Sequence, residues 1–185
     1  MITKTNYFVI TGGPGAGKST LLEALGQRGY DTVPEAGRMI IQQQVKQQGN
    51  AVPWADTTAF SRLMLERSIL DYNEYLTTTN TCFFDRGIPD VLGYVHLVNG
   101  PEIALYESAA AEYRYHTDVF ILPPWQEIYQ QDAERKQDFE TAVATYEQMA
   151  ATYTAHGYTL IKVPKDVPTA RATFVLNHLY SLRTL

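Results

Sequence analysis

The feature that most constrains this chain is a glycine-rich stretch, GGPGAGKST from Gly12 to Thr20, which directly follows the apolar run NYFVIT. That run is rich in β-branched and aromatic residues and is bounded by glycine, so it predicts a strand buried on both faces. After the stretch, leucines at helical spacing predict a helix that ends at Gly29. A buried strand, a tight loop and a helix in this order are typical of a parallel sheet covered by helices.

The same alternation of strands and helices continues along the chain. YDTV, TCFFD, TDVFIL and YTLIKV have strand character, and the segments between them have helical spacing. We therefore predict an α/β sandwich with a mostly parallel sheet of about five strands. In one helix, Asp56 is the expected N-cap, and the expected apolar face comprises Phe60, Leu63, Met64, Leu70 and Leu76. The apolar stripe of the FETAVATYEQMAATY helix is interpreted as core.

Length and composition limit the kinds of partner. At 185 residues, the chain is expected to form a single domain, residues 1–185. A net charge of -5 gives no broad cationic face, so nucleic acid and an anionic membrane are not expected as partners. No secretory signal or membrane span is recognised, and the single cysteine, Cys82, suits a reducing compartment. We expect a cytoplasmic protein, either monomeric or homodimeric.

The glycine-rich stretch fits the pattern G-x-x-x-x-G-K-[ST] through Gly12, Gly17, Lys18 and Ser19, between a predicted strand and a predicted helix. Backbone N–H groups of such a loop point inward, and the helix N-terminus adds partial positive charge, so the loop suits a nucleoside triphosphate. The alternative is a glycine-rich turn with a solvated lysine, which the full pattern and its flanks disfavour. The expected binding loop also includes Gly13, Pro14, Gly15, Ala16 and Thr20.

Within this loop, each polar side chain has an expected task. Lys18 reaches the β- and γ-phosphates, Ser19 offers its hydroxyl to Mg²⁺, and Thr20 contacts the α-phosphate. A carboxylate at the end of another buried strand usually completes the metal site, and Asp85 at the end of TCFFD is the candidate. ATP and Mg²⁺ are therefore the expected cofactors.

The residue after Asp85 separates classes of P-loop enzyme. Hydrolytic motors and switches tend to place a glutamate there, whereas this chain has Arg86 followed by Gly87. An arginine cannot act as a base, but it binds phosphates and carboxylates through two parallel hydrogen bonds. The pair favours a kinase that positions a second substrate. The alternative for Arg86 is an ion pair at the rim of the sheet.

GGPGAGKST, VPEAGR and FFDRG together resemble the P-loop kinases that include nucleoside and nucleotide kinases. More closely, the chain resembles a family of AAA-type ATPase/kinase domains to which the ribosylnicotinamide kinase part of the NAD-biosynthesis regulator is related. The resemblance covers nearly the whole chain. It implies a three-layer sandwich with strand order 2-3-1-4-5 and a lid at residues 124–138, before the last strand.

The resemblance also implies roles for individual residues. Glu35, after the second strand, corresponds to the carboxylate near the acceptor hydroxyl and is the candidate base; its alternative is an acid that stabilises a helix N-terminus. Arg38 either binds the acceptor or pairs with Glu35. Arg135 is the candidate lid cation that stabilises transferring charge, with Lys136 beside it, although a charge run is often only a solvated helix face.

Two aromatic residues are further candidates on the acceptor side. Trp54 and Tyr72 have rings that suit stacking on an acceptor, with core packing as the alternative. The sequence lacks the lid with several arginines found in short nucleotide kinases, which argues against a phosphorylated acceptor.

The leading function is thus an ATP- and Mg²⁺-dependent transferase that phosphorylates a hydroxyl of a small, nucleoside-like molecule. The alternative is a regulatory switch that binds ATP or GTP and hydrolyses it slowly. The absence of an N-K-x-D motif weakens the GTPase form of that switch. A mechanical motor is the least favoured class.

Overall fold

The computed structural model describes residues 2–129 and 138–182. Its strands are β1 (Ile2–Thr3), β2 (Tyr7–Gly12), β3 (Asp31–Val33), β4 (Cys82–Asp85), β5 (Tyr113–Arg114), β6 (Asp118–Leu122) and β7 (Thr159–Lys162). Its helices are α1 (Lys18–Gly26), α2 (Ala36–Gln47), α3 (Thr57–Glu74), α4 (Ile88–Leu97), α5 (Ile103–Glu112), α6 (Phe139–Ala155) and α7 (Pro168–Leu182), with a short 3-10 helix at Gln126–Ile128.

The main sheet is parallel and runs in the order β3-β4-β2-β6-β7. Counted within this sheet alone, that order is 2-3-1-4-5, so the predicted topology is confirmed. Every residue of β2 is buried, because β2 lies in the middle of the sheet with helices on both faces. The register sets Ile10 opposite both Asp85 of β4 and Phe120 of β6. The ends of these three strands therefore meet at one edge.

The fold is a three-layer sandwich of helices, sheet and helices, with one apolar core on each face of the sheet. Tyr7 and Val9 of β2 point into the core with α2 to α6, whereas Phe8 and Ile10 point into the core with α1 and α7. This alternation follows from the period of two in a strand. The predicted sandwich is confirmed.

Helix α3 shows where the sequence pattern misleads. Asp56 caps it as predicted, since its carboxylate accepts a hydrogen bond from the N–H of Ala59 at 2.9 Å. The predicted apolar face is wrong at its C-terminal end, because Leu70 is 63% exposed and Leu76 lies beyond the helix. Polar Asp71 occupies the buried position instead, next to buried Tyr72. Apolar character alone does not reveal that a helix buries a carboxylate.

The small parallel pair of β1 and β5 is absent from the predicted elements. Tyr72 ties it to α3, because its hydroxyl donates to the carbonyls of Ile2 at 3.1 Å and Arg114 at 2.8 Å. Strands of two residues carry too little pattern to be recognised in a sequence. Within the described part of the chain, no helix combines the length and apolarity needed to cross a membrane.

Candidate active site

The candidate site lies at the carboxyl edge of the main sheet. The P-loop follows β2, Asp85 ends β4, and Glu35 is the residue before α2. Because β2, β3 and β4 are parallel neighbours, their carboxyl ends lie side by side, and ligands of open parallel sheets bind at this edge. The topology therefore brings together three groups that are far apart in the sequence.

The backbone of the P-loop depends on its glycines. Gly12, Gly15 and Gly17 have φ angles of 134°, 71° and 82°, a region that L side chains rarely adopt. Gly13 must be glycine for a different reason: a Cβ there would lie 2.3 Å from the carbonyl oxygen of Ala142 in α6. The loop is therefore held tightly against neighbouring backbone, as an anion cradle requires.

Lys18 and Thr20 are both anchored to that loop. The side chain of Lys18 is buried, and its Nζ donates to the carbonyl of Gly13 at 3.1 Å, which sets the ammonium across the loop. The Thr20 hydroxyl donates to the carbonyl of Gly17 at 3.0 Å and is exposed. Both predicted phosphate-binding side chains are thus fixed to the loop backbone by hydrogen bonds.

Ser19 and Asp85, the predicted metal ligands, line one small cavity of about 370 Å³. Glu35 and Arg38 line the same cavity. A serine hydroxyl and an aspartate carboxylate are oxygen donors of the kind that Mg²⁺ prefers, and the ion keeps several waters beside such ligands. This donor set fits Mg²⁺.

Arg86 is held between two carboxylates. Its Nε donates to Glu35 Oε1 at 3.2 Å, and its Nη1 donates to Asp90 Oδ1 at 3.0 Å. Burial lowers the pKa of the guanidinium, but Glu35, Asp90 and Asp85 outweigh that effect, so the pKa is raised and the group stays charged. The ion-pair interpretation of Arg86 therefore describes its contacts, and one of its two partners is the candidate base itself.

The backbone of Arg86 is also unusual. Its φ angle of 71° lies in the left-handed region, which is costly for a residue with a long side chain. Its N–H donates to the carbonyl of Ile10 at 3.0 Å, which ties the turn to β2. A Cβ on the next residue, Gly87, would lie 3.0 Å from both Tyr115 and Val9. The DRG turn thus aims the arginine at the carboxyl edge.

Asp90 is a buried site residue that sequence reasoning missed. Its Oδ1 accepts hydrogen bonds from Thr11 and Arg86, and its Oδ2 accepts from the Gly87 N–H at 2.8 Å and the Tyr153 hydroxyl at 2.6 Å. Four donors on one carboxylate fix both it and the guanidinium. In the sequence, Asp90 looks only like an acid in the first turn of α4.

A large cavity of about 1000 Å³ adjoins the P-loop. Pro14 of the loop, Glu35, Asp85 and Arg86 all contribute to its wall. This volume is at the upper end of the roughly 300 to 1,000 Å³ that is usual for small-molecule pockets. The P-loop, at Pro14, and the candidate metal and base carboxylates thus border a space that can hold an organic molecule.

The two aromatic candidates are separated by the structure. Trp54 lines the large cavity, whereas Tyr72 is fully buried and packs edge-on against Tyr7, Tyr113 and Tyr115. The core interpretation holds for Tyr72. The core interpretation also holds for the stripe of α6, whose residues Ala142, Met149 and Tyr153 are buried, and Met149 lines the cavity as well.

The outer face of the P-loop is covered by residues that the sequence did not single out. A Cβ on Gly15 would lie 2.5 Å from the Tyr129 ring, and one on Gly17 would lie 2.6 Å from Nη1 of Arg171. The buried Arg171 guanidinium donates to the carbonyls of Ala16 at 3.0 Å and Gly17 at 3.4 Å, and it lies 5.9 Å from the Trp125 ring centroid. An arginine within a terminal helix gives no local signal of such a role.

Most of the predicted lid lies outside the residues that the structure describes. Of residues 124–138, the structure describes 124–129 and 138, so Arg135 and Lys136 lie outside the described residues. The described part, from Trp125 to Tyr129, borders the P-loop.

Comparison with known proteins assigns this chain to a family. A family model described as AAA domain (AAA_28) matches residues 7–171. A sequence comparison with curated proteins gave no match.

Several solved structures have a similar fold. Shikimate kinase from Acinetobacter baumannii, in complex with shikimate, is 16% identical with a TM-score of 0.57, covering 95% of this chain and 93% of that one. Thymidylate kinase from Candida albicans is 13% identical with a TM-score of 0.71, covering 96% and 92%. NadR, in complex with NR, is 15% identical with a TM-score of 0.75, and this chain spans 50% of its length.

Identities this low show the fold alone, whereas the family model covers most of the chain. The chain therefore belongs to this AAA domain family, and its fold is that of the P-loop kinases.

Proposed function

We propose that this protein is an ATP- and Mg²⁺-dependent phosphotransferase that moves the γ-phosphoryl group of ATP to a hydroxyl of a small molecule. The observation that supports this most is the shared wall between the P-loop and a cavity of about 1000 Å³. A kinase needs an acceptor site directly beside its phosphate cradle, whereas a hydrolytic switch needs only a water site. The arginine after Asp85, in place of a glutamate, supports the same choice.

The residues divide the task between binding and charge. Backbone N–H groups of the P-loop and Lys18 bind the β- and γ-phosphates. Ser19 and Asp85 would hold Mg²⁺, which when bound neutralises charge on the phosphate oxygens. Arg135 remains our proposed lid cation, although it lies outside the described residues.

Glu35 is the proposed base. The acceptor oxygen forms a bond to the γ-phosphorus, the bond from that phosphorus to the leaving oxygen of ADP breaks, and the acceptor proton passes to the Glu35 carboxylate. The products are a phosphate monoester and ADP. Arg86 holds Glu35 at the wall of the cavity through the contact of 3.2 Å, so the base is oriented before the acceptor enters.

The proposal is tested in two steps. Calorimetry with MgATP should give a binding heat for the wild type that is lost in Lys18→Ala and kept in Lys162→Ala, an exposed lysine on β7. ADP release should then increase several-fold on addition of a suitable alcohol from a library of small-molecule acceptors. Slow ADP release that no acceptor accelerates would contradict the kinase and support the switch.

A further inference from the structure

The large cavity has a pronounced apolar wall. Helices α2, α3 and α4 contribute Ile41, Phe60, Met64, Val91, Tyr94 and Leu97. The sheet beneath contributes the neighbouring residues Val33 and Phe84. Among the described lining residues, Gln42 is the single amide side chain. Recognition of a nucleobase edge uses donors and acceptors of the amide kind, and this wall offers mainly van der Waals contact.

The cavity is long and has a defined direction. Phe60, Met64, Ser68 and Asp71 lie on one face of α3 and all line it, so it follows this helix for roughly 16 Å. The Phe60 end is next to the P-loop edge, because Met64 and Phe60 border Gly37 just after Glu35. The Asp71 end lies toward the opposite edge of the sheet, where the adjacent Tyr72 contacts Tyr7 at the start of β2.

The far end is already neutralised. Asp71 is buried, and its Oδ1 lies 2.6 Å from Arg67 Nη2. An ion pair within the protein leaves this carboxylate unsuited to holding a cationic ligand group. The far end therefore suits an uncharged part of an acceptor.

The charge at the near end disfavours an anionic acceptor. At this end Glu35, Asp85 and Asp90 contribute three carboxylates, against the guanidinium groups of Arg38 and Arg86; the third lining cation, Lys46, lies in the last turn of α2. Asp90 and Glu35 both accept hydrogen bonds from Arg86, which reduces the attraction of that cation for a phosphate on the acceptor. An uncharged alcohol enters this end at the lowest electrostatic cost.

The entrance continues the apolar character of the wall. Val45 and Trp54 both line the cavity, yet they are 62% and 63% exposed. Exposed apolar side chains that border a pocket mark a binding surface. A ligand with an apolar body covers them, whereas a compact polar ligand leaves them in water.

From these observations we propose that the acceptor is an uncharged alcohol attached to a bulky apolar body, which lies along α3 while its hydroxyl reaches Glu35. This inference rests on the proposed phosphotransferase function and narrows its substrate class. It departs from the nucleoside-like acceptor expected from the sequence. In the reaction, the alcohol oxygen bonds to the γ-phosphorus of ATP as ADP leaves, and the hydroxyl proton passes to Glu35.

The test compares acceptor classes directly. Farnesol and geraniol, used below their micellar limits, are the apolar alcohols; thymidine and adenosine are the nucleosides; geranyl monophosphate is the anionic control. With MgATP, ADP release is expected to rise with the alcohols at least about 10-fold above the rate with either nucleoside, the scale on which apolar pockets discriminate. Calorimetry without nucleotide measures binding of each compound separately.

Matched variants locate the binding site. Met64→Gln is expected to raise the KM for farnesol by about 10-fold or more with MgATP binding unchanged, because it places an amide in the apolar wall. Leu70→Gln changes an exposed residue on the same helix and should leave the KM for farnesol and the binding of MgATP unchanged. Trp54→Ala, at the exposed entrance, should raise the KM even if Met64→Gln fails to fold.

Each outcome is decisive. Preferential phosphorylation of a nucleoside or of geranyl monophosphate overturns this inference and leaves the phosphotransferase standing. Farnesol binding that Met64→Gln or Trp54→Ala weakens, without phosphorylation of any acceptor, supports the apolar site and overturns the phosphotransferase. A failure of farnesol and geraniol to bind overturns the inference.

Discussion

At the residue scale, the contact of 3.2 Å between Glu35 and Arg86 joins the candidate base to the arginine of the DRG turn. Glu35→Gln keeps the shape of the side chain but removes its capacity to take a proton. We expect acceptor phosphorylation to fall by about 100-fold or more, the usual scale for a general base, with MgATP affinity unchanged. Steady-state kinetics and calorimetry measure the two effects. Glu66→Gln, on the exposed face of α3, is the control. Unchanged turnover in Glu35→Gln would mean that Glu35 only stabilises the start of α2.

Asp90 acts through its contact with Arg86, as a positioning residue. Asp90→Asn removes the charge that holds Arg86 and turns a donor toward the Gly87 N–H, so we expect a loss of about 1 to 3 kcal/mol in unfolding free energy. Turnover should also fall while the dissociation constant of MgATP is unchanged. Tyr153→Phe removes another donor to Asp90 but keeps Arg86 paired, so it should lower stability with a much smaller effect on turnover. Equal losses of turnover in both variants would show a purely structural role.

At the scale of elements, α7 is joined to the P-loop by Arg171. Arg171→Lys replaces a planar fork by a single ammonium, which cannot donate to both the Ala16 and Gly17 carbonyls. We expect a loss of about 1 to 3 kcal/mol in unfolding free energy and weaker MgATP binding, measured by urea titration and calorimetry. Arg28→Lys is the matched control, because Arg28, just after α1, donates to Thr169 and Thr173 of α7 on the exposed surface. Wild-type MgATP affinity in Arg171→Lys would contradict the proposed support of the loop.

Helix α3 contributes a pH dependence through Asp71. Burial raises the pKa of this carboxyl, and the hydrogen bond from Arg67 opposes the shift only in part. The folded state thus binds a proton more readily than the unfolded chain, whose aspartates ionise near ~3.9. The contribution to stability is fully present below that pH and is lost as the pH rises through the folded pKa.

Asp71→Asn should therefore remove this dependence, so the stability of the variant relative to the wild type should increase from about pH 4 upward. Urea unfolding at a series of pH values, followed by tryptophan fluorescence, measures the difference. Leu70→Gln, an uncharged change at the exposed neighbouring position of α3, is the control and should show no such slope. A pH-independent difference between Asp71→Asn and the wild type would contradict the assignment.

The elements were predicted well where burial is uniform and poorly where it is mixed. Strand β2 is apolar throughout and lies between two cores, so local pattern and tertiary position agree. In α3 the buried face includes the polar residues Ser61 and Asp71, which contact Thr57 and Arg67 one turn earlier on the same helix. No local pattern indicates that Leu70 is exposed while its neighbour Asp71 is buried.

At the scale of the whole molecule, the sheet order decides which predicted site residues meet. Residues Lys18 to Thr20 can be recognised from a local motif, because one loop makes the whole phosphate cradle. Asp90 acts through a contact with Thr11, 79 positions away in the chain. Arg171 acts through a contact with Ala16, 155 positions away. Such contacts exist only after the strands are ordered, so single-sequence reasoning could not find them.

A buried cysteine in the sheet offers a probe of the whole fold. Cys82, the single cysteine, begins β4 and is fully buried. Burial raises the pKa of its thiol to about 12, with a smaller contribution from Asp31. Because the thiolate is the reactive form, the folded protein should react with a maleimide only after the sheet opens.

We therefore expect labelling of Cys82 at pH 8 to be at least about 1000-fold slower in the native protein than in urea, as follows from the stability of an ordinary domain. Stopped-time labelling followed by mass measurement gives both rates, and Cys82→Ala corrects for reaction at other groups. Saturating MgATP should slow native labelling further, because a ligand that binds only the folded state lowers the population of the open one. Rapid native labelling would mean that β4 separates from β2 without global unfolding, and with it Asp85 would lose its fixed place beside the P-loop.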